Sequence, residues 1–406
     1  MAHTDRYIFG LDMGTSKTCA LACLRKSESK LEVAGLGVAE SRGWRKGVIV
    51  NLDAVVLAVK KAVEAAEAEA KVSFEWAFVG VGGPHIKGMN SRGALLLGPH
   101  AREVTREDKV KAFQNAKGFS LPEDRELIDA LRQEYLLDSQ NGIRDPLGMT
   151  GRRLEVNVHL ITASTTAWQN VVTAANRAGI KVPDSGTVFE SLASAWACLT
   201  EDERELGVAL LDIGGGSSEL IVFFEGAVRH TAVVPIGGEH FTNDIAVGLR
   251  TPIPEAEKMK RLWGERELPQ PGDPVIEVPS VGERPSRVVS YSMLSSIIEP
   301  RAYELLELLQ AELLRGGFLK QLGAGVVLTG GGAKLGGLVD LAEQSLGVPV
   351  RLGLPKDLEG MGETLPDPAF SAVVGLVSYG NRLQLMREAG DKGLMGKLWG
   401  ALRGKG

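Results

Sequence analysis

The alternation of apolar and polar positions is most informative between Leu206 and Glu225, where the chain reads LGVALLDIGGGSSELIVFFE. An apolar run reaches Asp212, the backbone is stripped to Gly214, Gly215 and Gly216, hydroxyls follow at Ser217 and Ser218, and a second apolar run leaves. Two short apolar runs around a glycine break predict a strand, a tight turn and a strand. The same pattern opens the chain, where YIFGLDMGTSKTCALAC passes through Asp12 and Gly14 to Thr15, Ser16 and Thr18 before its second apolar run. Aligning Asp12 with Asp212 pairs Gly14 with Gly214. Two copies of one turn, so far apart in sequence, predict two similar domains facing each other across a cleft.

Between the copies, LEVAGLGVAESRGWRKGVIV predicts another strand pair closing the first sheet, and Asn51–Lys71 an amphipathic helix with Ala and Val on one face. WAFVGVGG reads as a buried strand. From about Pro84 to Ile161 the pattern changes to a polar helix around Arg106–Lys117, a loop at Asn141 and Gly142, and RRLEVNVHLIT, where Leu154, Val156, Val158 and Leu160 alternate. A compact α+β insertion fits, as does an ordinary helix and hairpin of the parent domain. A helix begins near Phe189 in FESLASA, and VVPIGGEHFTNDIAVGL places Gly237, Gly238 and Glu239 ahead of another. Residues 251–297 are richer in Pro and charge and read as a smaller subdomain, after which the helix at Arg301 returns to the large core.

The glycine turns carry the chemistry. Without a Cβ, several main-chain N–H groups can approach one anion, and phosphate is the natural guest. Asp12 and Asp212, at the strand ends, are the candidates to hold Mg2+ through water. Lys17 adds a mobile positive charge in the first turn. The expected phosphate contacts are Gly14, Thr15 and Ser16 on one side and Gly214, Gly215, Gly216 and Ser217 on the other, with Gly237, Gly238 and Glu239 as a third wall. A further cluster, VVLTGGGAKLGGLVDL, would let adenosine lie against the bare backbone of Gly330, Gly331 and Gly332, with Lys334 beside it. Lys258, with Glu257 and Arg261, sits on a helix placed to border adenine; a solvated helix face explains those charges equally well. A glycine hairpin without ligand and a plain strand-to-helix turn remain the bland readings of each cluster taken alone.

Composition narrows the classes. A chain of 406 residues implies two domains or more, and a net charge of −5 argues against nucleic acid as the main partner. Cys19 and Cys23 on one strand would lie roughly 13 Å apart, too far for a disulfide. With Cys198 they read as small core residues, and the His residues show no metal-ligand spacing. Neither a signal peptide nor a spanning apolar run is visible, so a cytoplasmic location is expected.

The order of phosphate turn, phosphate turn and glycine-rich turn resembles the actin, Hsp70 and sugar-kinase superfamily, while no GxxxxGK[ST] or clean GxGxxG appears. RDPLGMTGRRLEVNVHLITA from Arg144, GTVFESLASA and IIEPRAYELLELL narrow the resemblance to FtsA, the bacterial actin-like cell-division family, over nearly the whole chain. That resemblance implies an α/β, duplicated, RNase H-like fold with a nucleotide cleft. Its subdomain 1A would span 1–83, 162–198 and 360–384, with an inserted SHS2-type 1C at 84–161. Subdomain 2A would span 199–250 and 298–359, with 2B at 251–297. It implies ATP and Mg2+ as ligands, self-assembly into actin-like filaments, binding of the C-terminal peptide of the tubulin-like FtsZ on 2B, and contacts with other division proteins of the membrane. Glu190 falls where related proteins orient the attacking water, although this chain has Ser191 where the family commonly has Pro. Glu190 acting only as a helix cap is the alternative, and any hydrolysis is expected to be slow.

The stretch 385–406 reads as a linker and a short basic amphipathic helix, with Leu394, Met395, Leu398, Trp399 and Leu402 on one side and Lys397 and Arg403 elsewhere. This is the profile of an interfacial anchor for an anionic membrane surface, here the cytoplasmic face of the cell membrane at the division site. A helix docked on its own domain is the alternative. Two other readings of the whole chain remain: a PilM-like pilus adaptor, or a sugar kinase or phosphatase of the same superfamily.

Overall fold

The computed structural model describes residues 6–28, 30–118, 121–264, 273–282 and 284–391. Its first large sheet runs, in spatial order, Thr187–Phe189, Phe78–Val81, Tyr7–Met13, Lys17–Arg25, Leu31–Glu40 and Leu358–Glu359. The second runs Val350–Leu352, Val326–Thr329, Val208–Ile213, Ser218–Phe224 and Ala227–Val234. In each, three consecutive strands form an antiparallel meander, and two later strands add in parallel beside the first. The duplication legible in two turns therefore extends to whole sheets.

The strands that end in Asp12 and Asp212 are buried on both faces because helices cover both sides. Helix Leu52–Ala70 presents Val55, Val59, Ala62 and Ala66 to the first sheet, and Asn51 caps it by accepting the Ala54 N–H. It approaches so closely that a Cβ on Gly37 would stand 1.8 Å from the Ala62 carbonyl oxygen, which accounts for the AGLG of the third strand. Helix Ser371–Asp391 crosses the other face and lays Val373 and Val377 over Gly10.

Three expectations change. Only Leu31–Glu40 joins the sheet; Trp44–Arg45 and Val48–Ile49 make a separate hairpin, because Lys46 and Gly47, with φ of 50° and 74°, form a two-residue turn. Asn141 and Gly142 lie in strand Gln140–Ile143 instead of a loop, since the turn falls three residues earlier at Asp138 and Ser139, with φ of 48° and 85°. The helix expected at Arg301 starts at Tyr291 and continues to Arg315, with Ser290 as its cap, so no break falls at 297.

Lys87–Leu96, Arg125–Leu137, Gln140–Ile143 and Arg153–Ser164 form a third sheet, with helix Arg106–Lys117 on one face and Leu154, Val156, Val158 and Leu160 in its own core. This unit rests on the outer edge of the second sheet. Side-chain amides of Asn90 and Gln133 donate to the carbonyls of Arg229 and Val228 at 3.2 and 2.8 Å, and His159 Nε2 meets Thr231 Oγ1 at 2.9 Å. Edge-strand groups that would otherwise be open are thus occupied. Helix Ile253–Gly264 and the hairpin Val275–Val278 with Arg287–Ser290 make the smaller unit beside helix Tyr291–Arg315.

Candidate functional site

Both glycine turns open onto one cleft of about 780 Å³, mouth included, lined from the first half by Asp12 to Lys17 and Glu190 and from the second by Asp212, Gly214 to Ser217 and Glu219. The turns nearly touch. A Cβ on Gly216 would stand 2.4 Å from the Gly47 nitrogen and 2.9 Å from Thr15 Oγ1, so any larger residue there would hold the halves apart. Gly330 and Gly331 close the third side with Pro368, Ala369 and Ala372. Gly330 has φ of 83°, and a Cβ on it would lie 2.2 Å from Asp212 Oδ1. Gly332 falls outside the lining, packed on Ile213 within the one-turn 3-10 helix Gly331–Lys334.

Helix Gly238–Gly248 backs the second turn instead of lining the cleft. The N–H groups of Gly238 and Glu239 donate to the carbonyls of Gly214 and Gly215, each at 2.9 Å, and Gly237 packs against Gly215. This brace fixes the turn that the cleft displays. Lys258 is exposed and paired with Glu255, whereas Lys260 points inward to the Gly238 carbonyl at 3.1 Å, Thr242 at 3.0 Å and Glu257 at 2.7 Å. Lys334 pairs with Asp367, which in turn accepts the Ala369 N–H and shapes the loop bordering the cleft. Leu394, Met395, Lys397, Leu398, Trp399, Leu402 and Arg403 lie outside the described residues.

Among the described residues four carboxyl groups face the cleft with one ammonium between them. Burial pushes Asp12 up against the opposing pull of Lys17, and pushes Asp212 up to about 6 although Ser194 donates to it. Glu219 is pushed up to about 8 by burial, against a hydrogen bond from the Gly83 N–H. Glu190 is raised well above the usual range by burial first, then by Glu219, Asp12 and Asp212. Lys17 Nζ donates to the Ala369 carbonyl and to Cys19 Sγ at 3.1 Å, and lies 3.9 Å from the Phe370 ring centre. Crowded carboxylates with bare N–H turns beside them suit a divalent cation together with phosphate oxygens. Among the described residues no three His, Cys, Asp or Glu side chains converge on one point, so a cation here would be held largely through water and phosphate.

Sequence reasoning missed Glu219, Ser194 and Lys260. Glu219 was visible as a lone acid in an apolar strand, and the register of the hairpin sets it directly opposite Asp212, on the same face of the sheet. Nothing in the pattern separates Lys260 from Lys258.

Residues 83–162 match the model described as the SHS2 domain inserted in FtsA, and residues 209–375 match that of the cell division protein FtsA. The chain is 44% identical over 383 residues to the cell division protein FtsA of Pseudomonas aeruginosa, covering 94% of this chain and 91% of that one. The chain belongs to the FtsA family. Its identity to the FtsA of Neisseria meningitidis serogroup B is 41%, over 95% of this chain and 92% of that one, and to the FtsA of Escherichia coli K12 it is 38%, over 95% and 93%. Among solved structures it resembles the PilM-PilN type IV pilus biogenesis complex, with a TM-score of 0.63 at 18% identity over 92% of this chain and 98% of that one. It also resembles MreB5 of Spiroplasma citri bound to ADP, with a TM-score of 0.56 at 13% identity over 95% and 98%. These likenesses give an actin-like fold, and the third sheet is the inserted SHS2 unit of this family.

Proposed function

We propose that the protein is an ATP-binding, Mg2+-dependent cell-division protein that assembles into actin-like filaments and tethers FtsZ at the cytoplasmic face of the membrane. The observation that carries the nucleotide part is the facing of two equivalent glycine turns, each preceded by a buried Asp, across one cleft. Backbone N–H groups of the turns at Gly14 to Ser16 and Gly215 to Ser217 orient phosphate, the Gly214 N–H closing its own turn on the Ser217 carbonyl, and Lys17 neutralises part of the phosphate charge. Asp12 and Asp212 hold the water shell of Mg2+, which when bound offsets the charge of carboxylates and phosphates together. Glu190 faces the cleft, where its position suits it to orient a water molecule, and the scarcity of cations there favours slow turnover.

Family membership supports the division role, and identity of 37–44% to FtsA relatives favours it over a pilus adaptor, since the PilM likeness is one of fold. FtsZ would dock through its C-terminal peptide on the unit of 251–297, and other division proteins of the membrane would join the filament. The terminal basic amphipathic stretch supplies weak membrane affinity, which a filament multiplies by presenting many copies. The test is co-sedimentation of FtsZ with anionic vesicles in Mg-ATP. The full chain should carry FtsZ into the pellet; a chain ending at Ala389, or carrying Leu398→Glu and Trp399→Glu, should leave it in solution. Equal pelleting by all three would refute the tether.

A further inference from the structure

The duplication gives each half the same cross-strand pair, Asp12 opposite Cys19 and Asp212 opposite Glu219. Only the second half carries an acid there, and that acid crosses the domain boundary. Glu219 is buried, and its Oε1 accepts the Gly83 N–H at 2.6 Å while its Oε2 accepts the Ser191 N–H at 3.2 Å. Gly83 follows the fourth strand of the first half, and Ser191 opens helix Glu190–Cys198 of the same half. Ser191 Oγ also donates to the Glu219 carbonyl at 3.2 Å.

A helix leaves its first four N–H groups without internal partners, and a side chain preceding the helix normally accepts one of them. Phe189 precedes this helix and offers no such acceptor. A side-chain oxygen of Glu219, from the other domain, takes that role. The fit is tight: a Cβ on Gly82 would lie 2.3 Å from Glu219 Oε1 and 2.4 Å from Glu190 Oε2. Both carboxyl groups therefore press on one glycine, and Glu190 is held in place by the helix that Glu219 caps.

We propose that Glu219 is a positioning residue, an interdomain cap that fixes Glu190 at the cleft wall and must let go before the halves part to release nucleotide. The release step rests on the nucleotide reading above; the clasp itself does not. Glu219→Gln keeps the size but leaves one carbonyl oxygen for two N–H groups. Ser191→Pro keeps the Glu219 side chain and deletes both Ser191 donors, the N–H and the hydroxyl, at a first-turn position where proline is tolerated.

In the nucleotide-free chain, Glu219→Gln should speed amide exchange at Gly83 and Ser191 by about tenfold, while Val79 in the sheet interior stays protected. In the ATP-loaded chain, Glu219→Gln and Ser191→Pro should each speed nucleotide release by a similar factor, and the double variant should be no faster than the faster single one. Unchanged exchange at Gly83 and Ser191, or single effects on release that multiply in the double variant, would overturn the clasp. Should Glu219→Gln fail to fold, Ser191→Pro decides alone through exchange at Gly83 and the residues of its helix. A wild-type chain that holds no nucleotide would sink the functional reading, and exchange would still decide the clasp.

Discussion

Gly215 and Ser16 face each other across the cleft so closely that a Cβ on Gly215 would stand 2.2 Å from Ser16 Oγ. A methyl there would turn the Ser16 hydroxyl aside and still crowd Thr15 Cβ at 3.3 Å and the Ser16 nitrogen at 3.4 Å. Gly215→Ala should keep the fold, because its φ is not in the left-handed region, yet hold the turns apart. ATP affinity, read by calorimetry, should fall by about tenfold or more, as the loss of a single well-formed phosphate contact would cause.

Among the described residues Lys17 is the single ammonium lining the cleft, and it already leans on the Ala369 carbonyl. Lys17→Ala removes that charge without touching the sheet core. ATP should weaken by roughly 10- to 100-fold, the range expected for one charge-assisted hydrogen bond. An unchanged affinity would mean that phosphate does not reach the first turn.

How much of this was legible follows from the kind of signal each part leaves. The turns at Asp12 and Asp212 were readable because glycine, acid and hydroxyl residues must sit at fixed offsets for backbone to face an anion, and the copies could be aligned. The insertion was readable from alternation at Leu154, Val156, Val158 and Leu160. Lys258 and Lys260 could not be told apart, because helix phase decides which one turns inward and packing against Thr242 sets that phase. Glu219 escaped notice since its partners, Gly83 and Ser191, are backbone groups distant in sequence, which leave no side-chain trace.

Carboxyl groups raised by burial bind protons more tightly folded than unfolded, so they favour the folded state at low pH and lose that advantage as pH rises through the folded value. Glu190 and Glu219 both shift this way, Glu219 from 4.5 to about 8. The Tm of the nucleotide-free protein should therefore decline between about pH 5 and pH 8, and Glu190→Gln should flatten the decline. A profile identical to wild type would show that Glu190 is solvated and ionised.

His159 titrates in the opposite sense. It is buried between Asn90 and Thr231, and burial, with His230 nearby, lowers it from 6.5 to about 3. A base held neutral in the fold destabilises it as pH falls from 6.5 toward 3, since the unfolded chain takes the proton first. Contact of the inserted unit with strand Ala227–Val234 should loosen over that range, seen as faster amide exchange at residues 228–231. His159→Ala should cost about 1–2 kcal/mol at neutral pH, because it strands the buried Thr231 hydroxyl while the exposed Asn90 amide returns to water.

The most direct test of the account is the stoichiometry of ATP binding by calorimetry with and without Mg2+, on the wild type and on Asp12→Asn with Asp212→Asn. The duplicated cleft predicts one ATP per chain, tightened by Mg2+ in the wild type and indifferent to Mg2+ in the double variant. Absence of binding, or Mg2+-dependent binding that survives loss of both aspartates, would contradict it.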